Sequence, residues 1–217
     1  MKKHTDKWNK YEIGKIEWIN KNHSHSCRKY FIDYIKNNNI DNILEIGAGE
    51  LIEAKSLLGD NPSLRYSVMD ISDLFLKYCK DNTSVKAFKG DMTDPPFEDK
   101  SFDLVYVSSV LEHSPDIKKT IKAMSRVSKS FYFNMFKWKM KTGNLKSNFK
   151  EKKQFFSSYF NIYELLDYIK KYGDIEDLFV CKKDIEERIP FEDYCKTIDN
   201  IDVHRTSDYL TIIGSWK

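Results

Sequence analysis

The stretch NILEIGAGE at residues 42–50 decides the fold, because it joins a short apolar segment to a turn that contains two glycines. Residues 42–46 favour a strand, and residues 51–59 have the pattern of a helix. Gly47 and Gly49 allow the chain to turn sharply and to approach a ligand closely. A glycine turn between a strand and a helix is the context that a nucleotide-binding loop requires.

Strands and helices continue to alternate after this turn. Strand patterns cover residues 64–70, 85–88, 102–107 and 131–135, and helix patterns cover residues 73–80 and 115–127. This alternation predicts right-handed βαβ units, and therefore a mostly parallel sheet with helices on both faces. The sequence thus predicts a doubly wound, Rossmann-like α/β fold.

The last third of the chain departs from this pattern. Asn161 caps a predicted helix over 162–172, and residues 175–181 and 209–214 favour strands that are joined by an acidic, irregular stretch. Two strands without a regular helix between them predict an antiparallel pair at the sheet edge. A standard dinucleotide-binding domain does not end in this way.

Two acidic residues follow strands at the expected ligand edge. Asp70 lies 21 residues after Gly49, where a carboxylate can accept hydrogen bonds from both hydroxyls of a ribose. Asp91 can accept from an exocyclic adenine amine, and Met92 can pack on the adenine face. The alternatives are that Asp70 only caps the next helix, and that Asp91 and Met92 form a turn beside a core methionine.

The absence of further glycines after Gly49 narrows the choice of ligand. Ile52 stands where a third glycine of a dinucleotide loop would be, and Leu51 stands where many nucleoside-binding loops have another glycine. Glu45 just before the turn would repel phosphate and suit an ammonium group. These residues favour a ligand with ribose and adenine but without phosphates.

Taken in order, ILEIGAGE at 43–50, Asp70, residues 88–113 and the closing strand pair resemble class I S-adenosylmethionine-dependent methyltransferases of the small-molecule, methyltransferase-11-like type. The resemblance implies a seven-stranded sheet whose last strand is antiparallel, and S-adenosyl-L-methionine as the cofactor. It implies a single domain over 1–217, with an N-terminal helical cover (1–40), a cofactor-binding half (41–135) and an acceptor-side half (136–217).

The resemblance also implies site residues. Cofactor contacts are expected at Glu45, Gly47, Ala48 and Gly49 for the methionine part, at Asp70 for the ribose, at Ile71, Asp91 and Met92 for the adenine, and at Ser108 near the sulfonium. His113 is the candidate general base, because imidazole titrates near neutrality and because His113 follows the fourth strand, at the edge where the substrate is expected. The alternative is a histidine that only helps to start a helix. No metal site is expected.

The charge and composition of the chain restrict its possible binding partners and its location. The chain has 36 basic and 33 acidic residues, a net charge of +3, which excludes a generally basic nucleic-acid binder. Residues 137–153 alone carry +6. They favour a small anionic or sugar-linked acceptor, although a solvated loop is the commoner reason for such a run. Widely spaced cysteines and the absence of a long apolar run predict a cytoplasmic protein without membrane association.

Other classes share parts of this pattern. A nicotinamide-dependent oxidoreductase has a similar loop, but Ile52 and the antiparallel ending disfavour it. A non-catalytic cofactor-binding regulator is a further alternative. So is an RNA methyltransferase, although no N/D-P-P-Y/F sequence follows the strand at 102–107.

Overall fold

The computed structural model describes residues 8, 26–47, 49, 51–136, 138–139, 160–182, 187–196 and 208–217. The strands are β1 (Asn42–Ile46), β2 (Arg65–Asp70), β3 (Lys86–Lys89), β4 (Phe102–Ser108), β5 (Ser128–Met135), β6 (Trp138–Lys139), β7 (Phe160–Asn161), β8 (Gly173–Cys181), β9 (Arg188–Pro190) and β10 (Tyr209–Trp216). The α-helices are α1 (Ser26–Asn37), α2 (Ile52–Asp60), α3 (Asp73–Asn82), α4 (Ile117–Val127), α5 (Ile162–Ile169) and α6 (Phe191–Lys196), and Leu111–His113 form a 3₁₀ helix.

The main sheet has the strand order β3-β2-β1-β4-β5-β10-β8-β9. β3, β2, β1, β4 and β5 pair in parallel, and β10 runs antiparallel to both β5 and β8. The predicted α/β fold with an antiparallel last strand is therefore confirmed. Because parallel strands share one carboxyl edge, the ends of β1, β2, β3 and β4 lie together, where α/β sheets bind their ligands.

One detail of the predicted sheet differs from the structure. The sheet has eight strands rather than seven, because Arg188–Pro190 adds an edge strand along the end of β8. This strand has only three residues and ends in proline, so it is too short to produce a strand pattern in the sequence. The predicted antiparallel pair is present, since β10 pairs with β8 at this end of the sheet and only the short β9 lies outside it.

Helices cover both faces of the sheet. α4 and α5 pack on one face through buried apolar residues, and Asp116 caps α4 by accepting from the Lys119 N–H at 3.0 Å. α1 and α2 pack on the other face. There the Phe31 ring of α1 stacks on Tyr106 of β4, with 3.6 Å between ring centroids. This contact places α1 directly over the strands that carry the glycine turn.

A small second sheet follows β5. β6 and β7 pair in parallel, with Trp138 opposite Phe160, and the buried Trp138 ring packs against Phe191 and Tyr194 of α6. The pair brings together the two ends of the segment 140–159. That segment and most of the lysine-rich stretch lie outside the described residues, as does the N-terminal region before Ser26 apart from Trp8.

Candidate cofactor and acceptor site

The glycine turn follows β1 and leads into α2. Gly47 (φ 71°) and Gly49 (φ 51°) both lie in the left-handed region, which favours glycine. The Gly47 N–H donates to the Met69 carbonyl at 2.8 Å, which fixes the turn to the end of β2. A Cβ on Gly47 would lie 2.5 Å from Cγ2 of Val110, whereas a Cβ on Gly49 would meet no atom within 4 Å. The turn is therefore packed at Gly47 and open at Gly49; Ala48 lies outside the described residues.

Leu51 explains how this turn works without another glycine. Its backbone has φ 58° and ψ 37°, which is the left-handed conformation a glycine would supply at no cost. For a non-glycine residue this conformation costs about 1–2 kcal/mol. The Leu51 side chain is fully buried in the core beneath α1 and α2, which contributes about 1.5–3 kcal/mol. Packing thus offsets the strain, and the departure from glycine leaves the backbone path unchanged.

Asp70 is the last residue of β2 and lies beside this turn. Its Oδ1 accepts from the Ser72 N–H at 2.8 Å. Burial raises the pKa of Asp70 to about 6, although hydrogen bonds from the Ser72 and Ile71 N–H groups lower it. The side chain is therefore mostly ionised at pH 7 and can accept further hydrogen bonds. Its bond to Ser72 also shows the local turn role that the sequence left open as an alternative.

Asp91 and Met92 follow β3 at the same edge. The Gly90 N–H donates to the Asp70 carbonyl at 3.1 Å, which brings the two acidic residues side by side. Oδ1 of Asp91 accepts from both the backbone N–H and the hydroxyl of Thr93, each at 2.8 Å. Met92 is half-buried against the core on the α4 face. Asp91 therefore does form a turn, and its Oδ2 faces no hydrogen-bond partner among the described residues.

The end of β4 carries Ser108, which is half-buried and is aligned with Asn134 of β5. The next residue, Ser109, donates its N–H to the Asn134 carbonyl at 2.9 Å. The Asn134 side chain is fully buried and accepts from the Thr211 hydroxyl at 2.8 Å. Asn134 therefore stabilises the joint between β5 and β10, while Ser108 is left at the ligand edge.

His113 lies at the end of the 3₁₀ helix after β4. Its N–H donates to the Val110 carbonyl at 2.8 Å. Its ring meets the Trp8 ring edge-on, with 5.0 Å between centroids, and Trp8 also lies 6.3 Å from the Phe75 ring of α3. Trp8 thus bridges the 3₁₀ helix and α3.

The residue before His113 has a structural role. Glu112 is fully buried, and its Oε1 accepts from the Phe136 N–H at 2.6 Å. This bond ties the 3₁₀ helix to the chain that leaves β5 towards Trp138. The position of His113 is therefore coupled to the segment that follows β5.

A buried charged cluster lies beneath the glycine turn on the α1 and α2 face. Oε2 of Glu45 accepts from the Tyr66 hydroxyl at 2.9 Å. Oε1 of Glu53 accepts from the Tyr106 hydroxyl at 2.9 Å, and its Oε2 pairs with Nη1 of Arg28 at 3.1 Å. Both glutamates are only 3% exposed. Of these five residues, the sequence predicted only Glu45 as part of the site.

The charge of Glu45 differs from the expected one. Burial raises its pKa well above the usual range, and the nearby charge of Glu53 raises it further. The hydrogen bond from Tyr66 and the charge of Arg28 lower it, but less strongly. Burial and Glu53 thus act against the negative charge on Glu45 by which the sequence suggested that phosphate is repelled.

Two further observations concern the described residues only. They include no group of three or more histidine, cysteine or acidic residues that could hold a metal ion. Among the helices in this part of the chain, none has both the length and the apolar character needed to cross a membrane.

Comparisons with known proteins agree with this geometry. Residues 44–130 match the family described as "Methyltransferase domain". A chain from the complex between the Haloferax volcanii Trm112 methyltransferase activator and a methyltransferase has a similar fold, with a TM-score of 0.72 at 15% identity, covering 98% of this chain and 96% of that one. An S-adenosylmethionine-dependent methyltransferase from Aquifex aeolicus has a TM-score of 0.59 at 11% identity, covering 94% and 98%. No curated protein matches this sequence.

The matched domain and the fold narrow the class of protein. Residues 44–130 match a methyltransferase domain, the chain has the fold of S-adenosylmethionine-dependent methyltransferases, and S-adenosylmethionine is the cofactor. The [4+2]-cyclase SpnF also has this fold, with a TM-score of 0.62 at 15% identity, covering 86% of this chain and 80% of that one. The fold alone therefore does not define the reaction, which has to be inferred from the site.

Proposed function

We propose that this protein transfers a methyl group from S-adenosylmethionine to a small-molecule acceptor at the carboxyl edge of β1, β2 and β4. The observation that carries the proposal is the open, left-handed turn at Gly49, which lies next to a largely ionised Asp70. An open backbone turn suits close approach of the methionine part, and a carboxylate suits the two ribose hydroxyls. The residues present thus fit the cofactor.

We assign the cofactor contacts as follows. The methionine part is held by Glu45, Gly47, Ala48 and Gly49, the ribose by Asp70, the adenine faces by Ile71 and Met92, the adenine amine by Asp91, and the sulfonium side by Ser108. For Asp91 the contact is through Oδ2, because Oδ1 is used by Thr93.

Methyl transfer requires little from the protein besides the correct placement of the cofactor and the acceptor. The bound cofactor supplies a methyl group that is already activated by its sulfonium. The surrounding residues hold the acceptor in line with that carbon and exclude water. Trp8, which covers His113 and Phe75, is well placed to exclude water from this edge.

The acceptor is proposed to be anionic or sugar-linked. The support is the net charge of +6 over residues 137–153, which lie between β5 and α5. Because β6 and β7 pair and β5 ends at the carboxyl edge, both ends of the segment 140–159 are held on the acceptor side of the sheet. Lysines there would raise the local concentration of an anion.

His113 is proposed as the general base for acceptors that must lose a proton. Replacing His113 by Ala is expected to lower kcat about 100-fold or more and to remove the pH dependence that a general base gives to the rate. The affinity for S-adenosylhomocysteine, measured by calorimetry, should be unchanged. An unaltered kcat would instead assign His113 to packing against Trp8.

The two glycines of the turn provide a paired prediction. Gly49→Ala should leave the protein folded, with a cost of about 1 kcal/mol for the left-handed backbone, but weaken cofactor binding because its methyl group enters the open space. Gly47→Ala should destabilise the fold by about 2 kcal/mol or more, because the new Cβ meets Val110. Urea denaturation and calorimetry separate the two effects. A Gly49→Ala variant with normal affinity would place the cofactor elsewhere.

The proposed function is tested in two steps. Calorimetry with S-adenosylmethionine, S-adenosylhomocysteine and NAD should give heat with the first two only, and heat with NAD alone would favour an oxidoreductase. An isotope-labelled methyl-transfer assay against an extract of the source organism should then yield a labelled small molecule for mass spectrometry. Label in RNA alone would contradict a small-molecule acceptor, and binding without transfer to any acceptor would favour the regulator.

A further inference from the structure

We propose that cofactor binding expels one proton from the buried Glu45–Glu53 pair, because the ammonium group of the cofactor replaces that proton as the second positive charge of the cluster. This inference rests on the proposed function, and it adds how the site recognises the amino-acid end of its cofactor. It also concerns the free protein, because before the cofactor binds, the described residues place one cation, Arg28, against two buried glutamates.

The charge balance of the cluster is the first step. Glu45 and Glu53 are both buried, and Arg28 is the one cation that the described residues place against them, at 3.1 Å from Glu53. Two ionised carboxylates beside one guanidinium would leave a buried negative charge, which is costly in a low dielectric. The free protein avoids this cost by holding a proton.

The contacts decide which carboxyl group holds the proton. Among the described residues, Glu53 has a guanidinium partner and a tyrosine hydroxyl, whereas Glu45 has the Tyr66 hydroxyl alone as a hydrogen-bond partner. The raised pKa of Glu45 agrees with protonation there. The titratable and charged groups around Glu45 come from every neighbouring element, namely Arg28 of α1, Glu53 of α2, Tyr66 and Asp70 of β2, Cys79 of α3 and Tyr106 of β4.

The position of Glu45 connects the cluster with the ligand. It is two residues before Gly47 near the end of β1, the strand that leads directly into the turn that is open at Gly49. A cofactor whose methionine part lies along this turn brings its ammonium group to the end of β1. The carboxyl proton of Glu45 then passes to the buffer, and the carboxylate pairs with the ammonium group. The cluster therefore stays neutral overall, with one positive and one negative charge before binding and two of each in the complex.

Calorimetry measures this proton directly. We suggest titrating S-adenosylhomocysteine into the protein at pH 7.0 in buffers of different ionisation enthalpy, such as phosphate and Tris, because the dependence of the observed heat on the buffer gives the number of protons released. Asp70, with a pKa of about 6, releases only about 0.1 proton at this pH. The amino group of S-adenosylhomocysteine takes up about 0.1 proton when it binds as an ammonium group. A release close to one proton is therefore expected from Glu45.

Two comparisons identify the source of the proton. Glu45→Gln should bind S-adenosylhomocysteine with almost no proton release, while the exposed control Glu98→Gln should behave like the wild type. Methylthioadenosine, which lacks the amino-acid end, should bind the wild type without releasing a proton, and this arm needs no variant. Tight binding of S-adenosylhomocysteine without proton release, or equal release from Glu45→Gln, would overturn the inference. Failure of the wild type to bind S-adenosylhomocysteine would overturn the proposed function instead.

Discussion

Replacing Asp70 by Asn is expected to weaken S-adenosylhomocysteine binding by about 10- to 100-fold, because hydrogen bonds to a charged acceptor contribute about 1.5–3 kcal/mol. The neutral amide can still accept one hydrogen bond from the ribose, and its oxygen can keep the bond from the Ser72 N–H. The loss should therefore appear in affinity without a change in the turn. Calorimetry at pH 7.5 measures it.

The same substitution is expected to stabilise the folded protein. Burial raises the pKa of Asp70 to about 6, above its unfolded value of about 3.9. The folded state therefore binds more protons between these two values, and ionised Asp70 costs stability above pH 6. Asp70→Asn removes this cost, on the order of 3 kcal/mol, at pH 7.5. The gain should vanish below pH 4, where both states of the wild type are protonated.

A matched control separates the site from general charge effects. Asp60 is exposed at the end of α2 and pairs with Lys36 at 2.7 Å, so Asp60→Asn should change neither affinity nor stability by a measurable amount. If Asp70→Asn lost stability and kept its affinity, Asp70 would serve only the turn before α3. Its assignment to the ribose would then be wrong.

Local patterns in the sequence predicted the fold and the first outline of the site. The strand, the glycine turn and Asp70 are each recognised within a few residues, and a parallel sheet necessarily brings their ends to one edge. The eighth strand was missed because Arg188–Pro190 is too short for periodicity. The cofactor contacts at this edge stay predictions that the binding experiments test.

The charged cluster could not be predicted for a different reason. Arg28 and Glu53 occupy helix positions where a polar residue normally faces solvent, and they are 25 residues apart, so no spacing links them. The sequence pattern predicts Tyr66 and Tyr106 as core residues of strands, and it is their hydroxyl groups that donate hydrogen bonds to the glutamates. For the helix residues of the cluster, the only signal in the sequence was the position of Glu53. It lies at the start of α2, close to a turn that is predicted to bind a ligand.

Replacing Arg28 by Met is expected to lower the free energy of unfolding by about 3 kcal/mol, because it leaves the buried Glu53 without its cation. The Arg28 side chain is 23% exposed and that of Glu53 is 4% exposed, so water cannot replace the guanidinium fully. Methionine keeps most of the side-chain volume, so lost packing contributes little. Urea denaturation at pH 7.5 measures the loss.

The double variant Arg28→Met, Glu53→Gln shows whether charge is the cause. A neutral amide needs no cation and can still accept from the Tyr106 hydroxyl, so the double variant should recover most of the lost stability. Equal losses in the single and double variants would mean that Arg28 stabilises α1 by packing alone. The cluster would then need no second positive charge from a ligand.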